Sequence, residues 1–214
     1  MANREVVSKV TNAVLYSDGL IRIDNVRASY PHLGRPWSQD EDQEKKFSMV
    51  GLLDKKTHKA AKDLCVKRIQ ELMKENKVDK IAADKKFIKD GDLSEKEENE
   101  GMWTVSARES RRPAIRDRDN NLLTDPDEID DTLYGGCYVS MLIRPWFQNH
   151  KKFGKRVNAG LVAVRFLRDG EPFGEGRIQD EEIDDMMDDV DMDEDNDDRS
   201  SRRRSRDDDD DDDL

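Results

Sequence analysis

Several kinds of chemistry have no foothold in this sequence of 214 residues. It has two cysteines, Cys65 and Cys137, far apart and in no CxxC spacing. That excludes a disulfide framework and a Cys-rich zinc site, and both thiols read as small buried hydrophobes in a reducing cytoplasm. The three histidines, His32, His58 and His150, are scattered without metal-ligand spacing, so neither a metal nor a cofactor is expected. GxxxxGK[ST], HExxH and GxSxG are all missing, and no GxGxxG follows a strand. Carboxylates abound but sit in charge runs, with no pair that must converge on a reaction centre. Nothing here asks for an enzyme. Apolar residues make up only 34%, and no run approaches a membrane span. The start, MANREVVSK, lacks the hydrophobic segment of a signal peptide. These absences predict a cytoplasmic protein with no membrane partner.

Charge is what the chain has in excess. At 41% charged, with a mean hydropathy of -1.01, it is too polar to fold uniformly. Residues 179–214 hold 20 of the 50 acidic side chains and only 5 of the 38 basic ones, about -15 in all. The other 178 residues stand at about +3. A mildly basic body with a strongly acidic tail points to a nucleic-acid partner. The tail has too little apolar surface to offset the entropy of ordering and is expected to be disordered. Within it, spaced Ile183, Met186, Met187, Val190 and Met192 precede a basic island at 199–206, seven aspartates and Leu214. Three segments follow: residues 1–18 as an N-terminal arm or edge strand, 19–178 as the folded domain, and 179–214 as the tail.

Within the domain, alternation predicts strands. GLIRIDNVRASYP reads as a strand stopped by Pro31, followed by a loop through HLGRPWSQDEDQEKK. FSMVGLL at 47–53 and VNAGLVAVRFL at 157–167 are apolar on both faces and read as interior strands. Gly160 in the latter suggests a bulge or a close backbone approach. Met102–Arg108 and Tyr138–Trp146 alternate cleanly. Between Asp54 and Asn76, Ala61, Leu64, Cys65, Arg68, Ile69, Leu72 and Met73 recur at helical steps, with Thr57 as a candidate N-cap. Residues 77–101 form a long loop anchored by Phe87 and Ile88, Asn120-Asn121 marks a turn, and DPDEIDD is an acidic loop. One main α-helix and five or six strands without βαβ alternation predict a mainly β protein: an OB-fold-like, partly open barrel.

Candidate binding residues cluster around the strand YGGCYVSMLIRPW. Val139, Met141 and Ile143 take its core face. Tyr138, Arg144 and Trp146 take the other, a mixture suited to stacking on bases beside a phosphate chain. Before it, Arg108, Arg111 and Arg112 form, with Arg116, the densest basic patch, a phosphate-contacting surface or a salt-bridged strand end. After it, FQNHKKFGKR resembles a hairpin tip with Gly154 at the turn, placing Lys151 and Lys152 among aromatics. Arg35 and Trp37 lie in the earlier loop, next to Lys45 and Lys46. Trp103 shares a parity with Val105 and Ala107 and can equally be core. Phe147 shares the core parity of Ile143 and counts only if Pro145 and the hairpin twist reset the register.

Four blocks, NVRASYPHL, FSMVGLL, GCYVSMLIRPW and NAGLVAVRFLRDGEPFG, resemble in order a family of phage single-stranded DNA-binding proteins. The resemblance covers roughly Gly19 to Gly176. It implies an OB-fold core that binds single-stranded DNA without sequence preference in phage replication, recombination or repair. The acidic tail is similar in character to those that recruit replication or recombination proteins, although here only Leu214 follows the aspartates. The same tail is expected to compete with DNA for the basic surface. A homodimer is compatible with all of this. The alternatives are an acidic-tailed protein-interaction or chaperone-like factor, and a nuclease or strand-annealing recombination protein.

Overall fold

The computed structural model describes residues 4–40 and 42–173. The chain divides into Met1–Gly176 and Arg177–Leu214, and the acidic tail expected from the sequence lies outside the described residues. The elements in chain order are β1 (Val6–Val10), β2 (Ala13–Tyr16), β3 (Ile21–Trp37), β4 (Lys46–Asp54), α1 (Lys59–Glu75), β5 (Ile88–Asp90), β6 (Met102–Glu109), β7 (Ala114–Arg116), β8 (Leu122–Leu123), α2 (Pro126–Thr132), β9 (Tyr138–His150) and β10 (Gly154–Arg168).

Five strands carry the architecture, paired in the order β6-β4-β3-β9-β10 and all antiparallel. β10 then returns toward β6. Lys86, just before β5, bridges to Val157 of β10, while β5 itself pairs with β6. At the other end of β6, Glu109 Oε2 lies 3.0 Å from where a Cβ on Gly160 would stand. The sheet thus closes on itself incompletely, giving the partly open barrel expected of an OB-fold. The additional strands are short: a β1-β2 hairpin on the edge of β3, β5 at the closure, and the β7-β8 hairpin beside β10. They raise the count to ten, above the five or six that alternation alone suggests.

The core is the inward face of these strands. Val139, Met141 and Ile143 of β9 are fully buried, as are Val157 and Leu161 of β10 and Val105 of β6. Burying each such side chain contributes about 1.5–3 kcal/mol. Helix α1 adds Ala61, Leu64, Cys65, Ile69 and Leu72, the expected stripe. Its start differs from expectation. The residue before the helix is His58, and the turn is held by Asp54, which accepts from the Lys56 and Thr57 amides, so Thr57 is not the N-cap. Both cysteines are inside, and burial pushes each thiol up to about 12.

β3 corrects the sequence reading most. It does not stop at Pro31 but runs on to Trp37, so the segment read as a loop from His32 is strand for six more residues. Two irregularities explain this. Asn25 has φ 57, and the pairing with β9 shifts between Ile23 and Val26. Ile21, Ile23, Val26 and Ala28 therefore all point inward despite their mixed parity. Tyr30 has φ 46, and the pairing with β4 shifts between Ser29 and His32. Proline is tolerated at such a bulge because no ladder amide is required there. The acidic segment at 125–131 is also not a loop. Asp125 caps α2 by accepting from the Asp127 and Glu128 amides, with Pro126 in the first turn.

Candidate nucleic-acid interface

The β9-β10 hairpin outruns its neighbour. β3 pairs with β9 only through Ile143, whereas β10 follows β9 to His150. Residues 144–160, from Arg144 and its partner Gly160 outward, therefore form the projecting hairpin, the finger. At its tip Gly154 takes φ 71, and His150 Nδ1 accepts from the Lys152 and Phe153 amides at 3.2 and 3.4 Å. The His150 and Phe153 rings stack, with centroids 4.8 Å apart. Phe153 stays 52% exposed, so this pair presents a flat apolar surface to solvent beside Lys151 and Lys152.

On the outer face of β9, Trp146 is 44% exposed and Arg144 is exposed, two residues apart. Phe147 remains on the core side, half-buried and opposite Val157, so Pro145 does not reset the register. Tyr138 shares the outer face but not the place. It lies eight residues from Trp146, roughly 26 Å at ~3.3 Å per residue. Its ring is covered by the Arg168 guanidinium at 3.8 Å.

The other candidates divide by their partners. Arg108 faces Ser48 across β4, and Ser48 faces His32 of β3. His32 stacks on Trp37 with centroids 4.6 Å apart and planes 12° off parallel. Burial holds the His32 imidazole below its usual value, against the opposing pull of Asp130. A band therefore runs from the Trp37-His32 stack across Ser48 to Arg108. Beside it Glu109 reaches Gly160, the cross-strand partner of Arg144. Arg108, Arg111, Arg144, Lys151 and Lys152 make no ion pair among the described residues. Their charges face solvent.

Arg35 and Arg112 are differently placed. Arg35 donates to Asp127 at 2.7 Å and to Asp130 at 3.3 Å, fastening β3 to α2. Arg112 donates to the carbonyls of Thr124 and Gly34, both at 2.8 Å, and lies over the Phe47 ring. Both guanidinium groups are occupied as staples. Trp103 is half-buried and packed against the core, with Lys62 Nζ 5.6 Å from its ring centre. Phe153 lies at the finger tip, where the sequence sets it with Phe147 among the lysines. One exposed aromatic was not singled out from the sequence. Tyr30, 51% exposed, is turned outward by its left-handed backbone with Lys96 Nζ 3.6 Å from its ring. Only a positive φ at a non-glycine residue marks Tyr30, and alternation cannot reveal it.

Among the described residues no group of His, Cys, Asp or Glu is arranged to hold a metal. No helix among them is long and apolar enough to cross a membrane. The fold and this face define a class: an OB-fold barrel whose outer surface combines unpaired cations with exposed aromatic rings.

Known sequences and structures then place it. The chain belongs to the family of the Enterobacter phage Enc34 single-stranded DNA-binding protein, whose sequence model matches residues 20–197. This is a family of phage binding proteins, not enzymes. The structure of the bacteriophage Enc34 single-stranded DNA-binding protein in complex with single-stranded DNA superimposes with a TM-score of 0.77 at 44% identity, covering 81% of this chain and 100% of that one. A second structure of the Enc34 protein gives 0.75 at 44% identity, over 85% of this chain and 98% of that one. Protein p50 of Acyrthosiphon pisum secondary endosymbiont phage 1 is 37% identical over 100 residues. That match covers 46% of this chain and 52% of p50, so the chain spans about half the length of this curated relative.

Proposed function

We propose that this protein binds single-stranded DNA without sequence preference and acts in the replication, recombination or repair of a phage genome in the host cytoplasm. The observation that carries the reading is the β9-β10 finger: exposed Trp146 and Phe153 beside Arg144, Lys151 and Lys152, none of these cations ion-paired among the described residues. Rings of this kind stack on any base, and unpaired cations follow any phosphate chain, so neither selects a sequence. Trp37 on His32 extends the stacking surface, while Arg108 and Arg111 extend the phosphate track. Family membership and the likeness to the Enc34 protein in complex with single-stranded DNA support the same reading.

The acidic residues at 179–214 compete with DNA for this surface, recruit replication or recombination proteins, or do both. A tethered segment reaches an effective concentration of about millimolar, so even a weak mimic of DNA can compete. The test is a titration of the full chain with oligo-dT, read by tryptophan fluorescence. Saturable quenching at a few nucleotides per protein is expected. No response up to micromolar protein would point instead to a barrel that binds protein partners. Sedimentation of the free protein distinguishes a monomer from the homodimer.

A further inference from the structure

The outer face of β9 does not end at Arg144. Toward its start it forms the floor of a groove of about 640 Å³, within the roughly 300–1,000 Å³ usual for ligand sites. Four arginines line it: Arg4, Arg22 of β3, Arg116 of β7 and Arg165 of β10. Strand pairing fixes their arrangement. Arg22 lies beside Leu142, and Ser140 beside Arg165, which in turn lies beside Arg116. Like charges on directly paired positions are unfavourable unless an anion sits between them.

Arg165 and Arg116 are each held by a backbone carbonyl, a contact that orients the guanidinium without neutralising it. Arg165 Nη2 donates to the Arg118 carbonyl at 2.6 Å, and Arg116 Nη1 to the Asn120 carbonyl at 2.7 Å. Arg22 is held by Asp24, and Arg4 by Asp18. The nearby carboxylates are already engaged. Asp24 accepts from Ser140, and Asp117, which faces Arg165, accepts from Asn121. Arginines oriented in advance lose less freedom when they bind phosphate. Between them the floor is apolar, with Leu142 and Ala163 side by side.

We propose that this groove is a second contact for nucleic acid, taking the phosphates of a further stretch of the same single strand that the finger holds. The proposal rests on the single-stranded DNA reading and adds to it a path. Ser140 is six residues from Trp146 on the same face of β9, roughly 20 Å along the strand. An oligonucleotide of about 2–3 nucleotides seated on Trp146 cannot reach the groove, and a longer one can.

The test measures affinity against oligo-dT length, using the full chain and its Arg116→Glu/Arg165→Glu variant. With oligomers of about 2–3 nucleotides the two proteins should bind equally. With oligomers of about 15 nucleotides the variant should bind about tenfold more weakly, with a salt slope shallower by about 1.4. Arg116→Gln/Arg165→Gln should show the same length dependence with a smaller loss. Retained short-oligomer binding certifies that the variants are folded. An equal loss at both lengths in the milder variant, or no loss at the longer one, overturns the proposal. So does occupation of the groove by dTMP alone, seen as dTMP binding that the variants abolish. Failure of the underlying reading is distinct: no oligomer of any length would then bind the unaltered chain.

Discussion

Whether a cation is already paired should decide its effect on DNA binding. Arg108, Arg111, Arg144, Lys151 and Lys152 have no carboxylate partner among the described residues, whereas Arg35 holds Asp127 and Asp130. Each phosphate neutralised on a single strand adds about 0.7 to the log–log salt slope. With an oligomer short enough to stay on the finger face, five such cations correspond to a slope of about -3.5, so raising salt from about 50 to about 200 mM should weaken binding roughly 130-fold. Lys151→Ala/Lys152→Ala should reduce the slope to about -2.1 and the loss over the same range to roughly 20-fold. Arg35→Ala should leave the slope unchanged, because its charge is already spent within the protein. The assay is fluorescence anisotropy of labelled oligo-dT at four or five salt concentrations, with the variants compared in the full chain so that residues 179–214 contribute equally. An unchanged slope in the double-lysine variant, or a fall as large in Arg35→Ala, would refute the reasoning.

Three further outcomes are expected. Trp146→Ala should weaken oligo-dT binding by about 5- to 150-fold, equivalent to about 1–3 kcal/mol for one stacked base, and direct titration measures it. Removing residues 179–214 should tighten binding at low salt and have less effect at high salt; equal affinity at low salt would leave those residues as a partner-binding or solubility segment. Burial holds His32 below its usual value of 6.5, so the unfolded chain binds more protons than the folded one in this window. Stability should therefore fall as the pH drops below about 6.5, and His32→Gln should flatten that part of the curve in thermal unfolding.

The barrel was legible where strands are regular. Val139, Met141 and Ile143 alternate without interruption and are all fully buried. The finger could be read from Gly154 amid lysines. β3 could not, because its inward set changes parity at Asn25 and again near Tyr30. Those bulges are settled by pairing with β9 and β4, not by local preference. α2 was hidden by its acidity, although Asp125-Pro126 is a helix start. The division of the arginines was also out of reach. Arg35 meets its aspartates 92 and 95 residues away, and Arg112 reaches Gly34 across 78. A sequence shows where cations cluster but not which of them the fold has already used. Tyr138 and Trp146 likewise share a strand face, yet strand length separates them.

DNA is proposed to stack on the outer aromatics of the barrel and finger, not on the packed ones. Three chains, each keeping one tryptophan and carrying phenylalanine at the other two positions, test this most directly when titrated with oligo-dT. Saturable quenching is expected in the chains that keep Trp37 or Trp146, and little change in the one that keeps Trp103. Quenching confined to Trp103 would contradict the proposal.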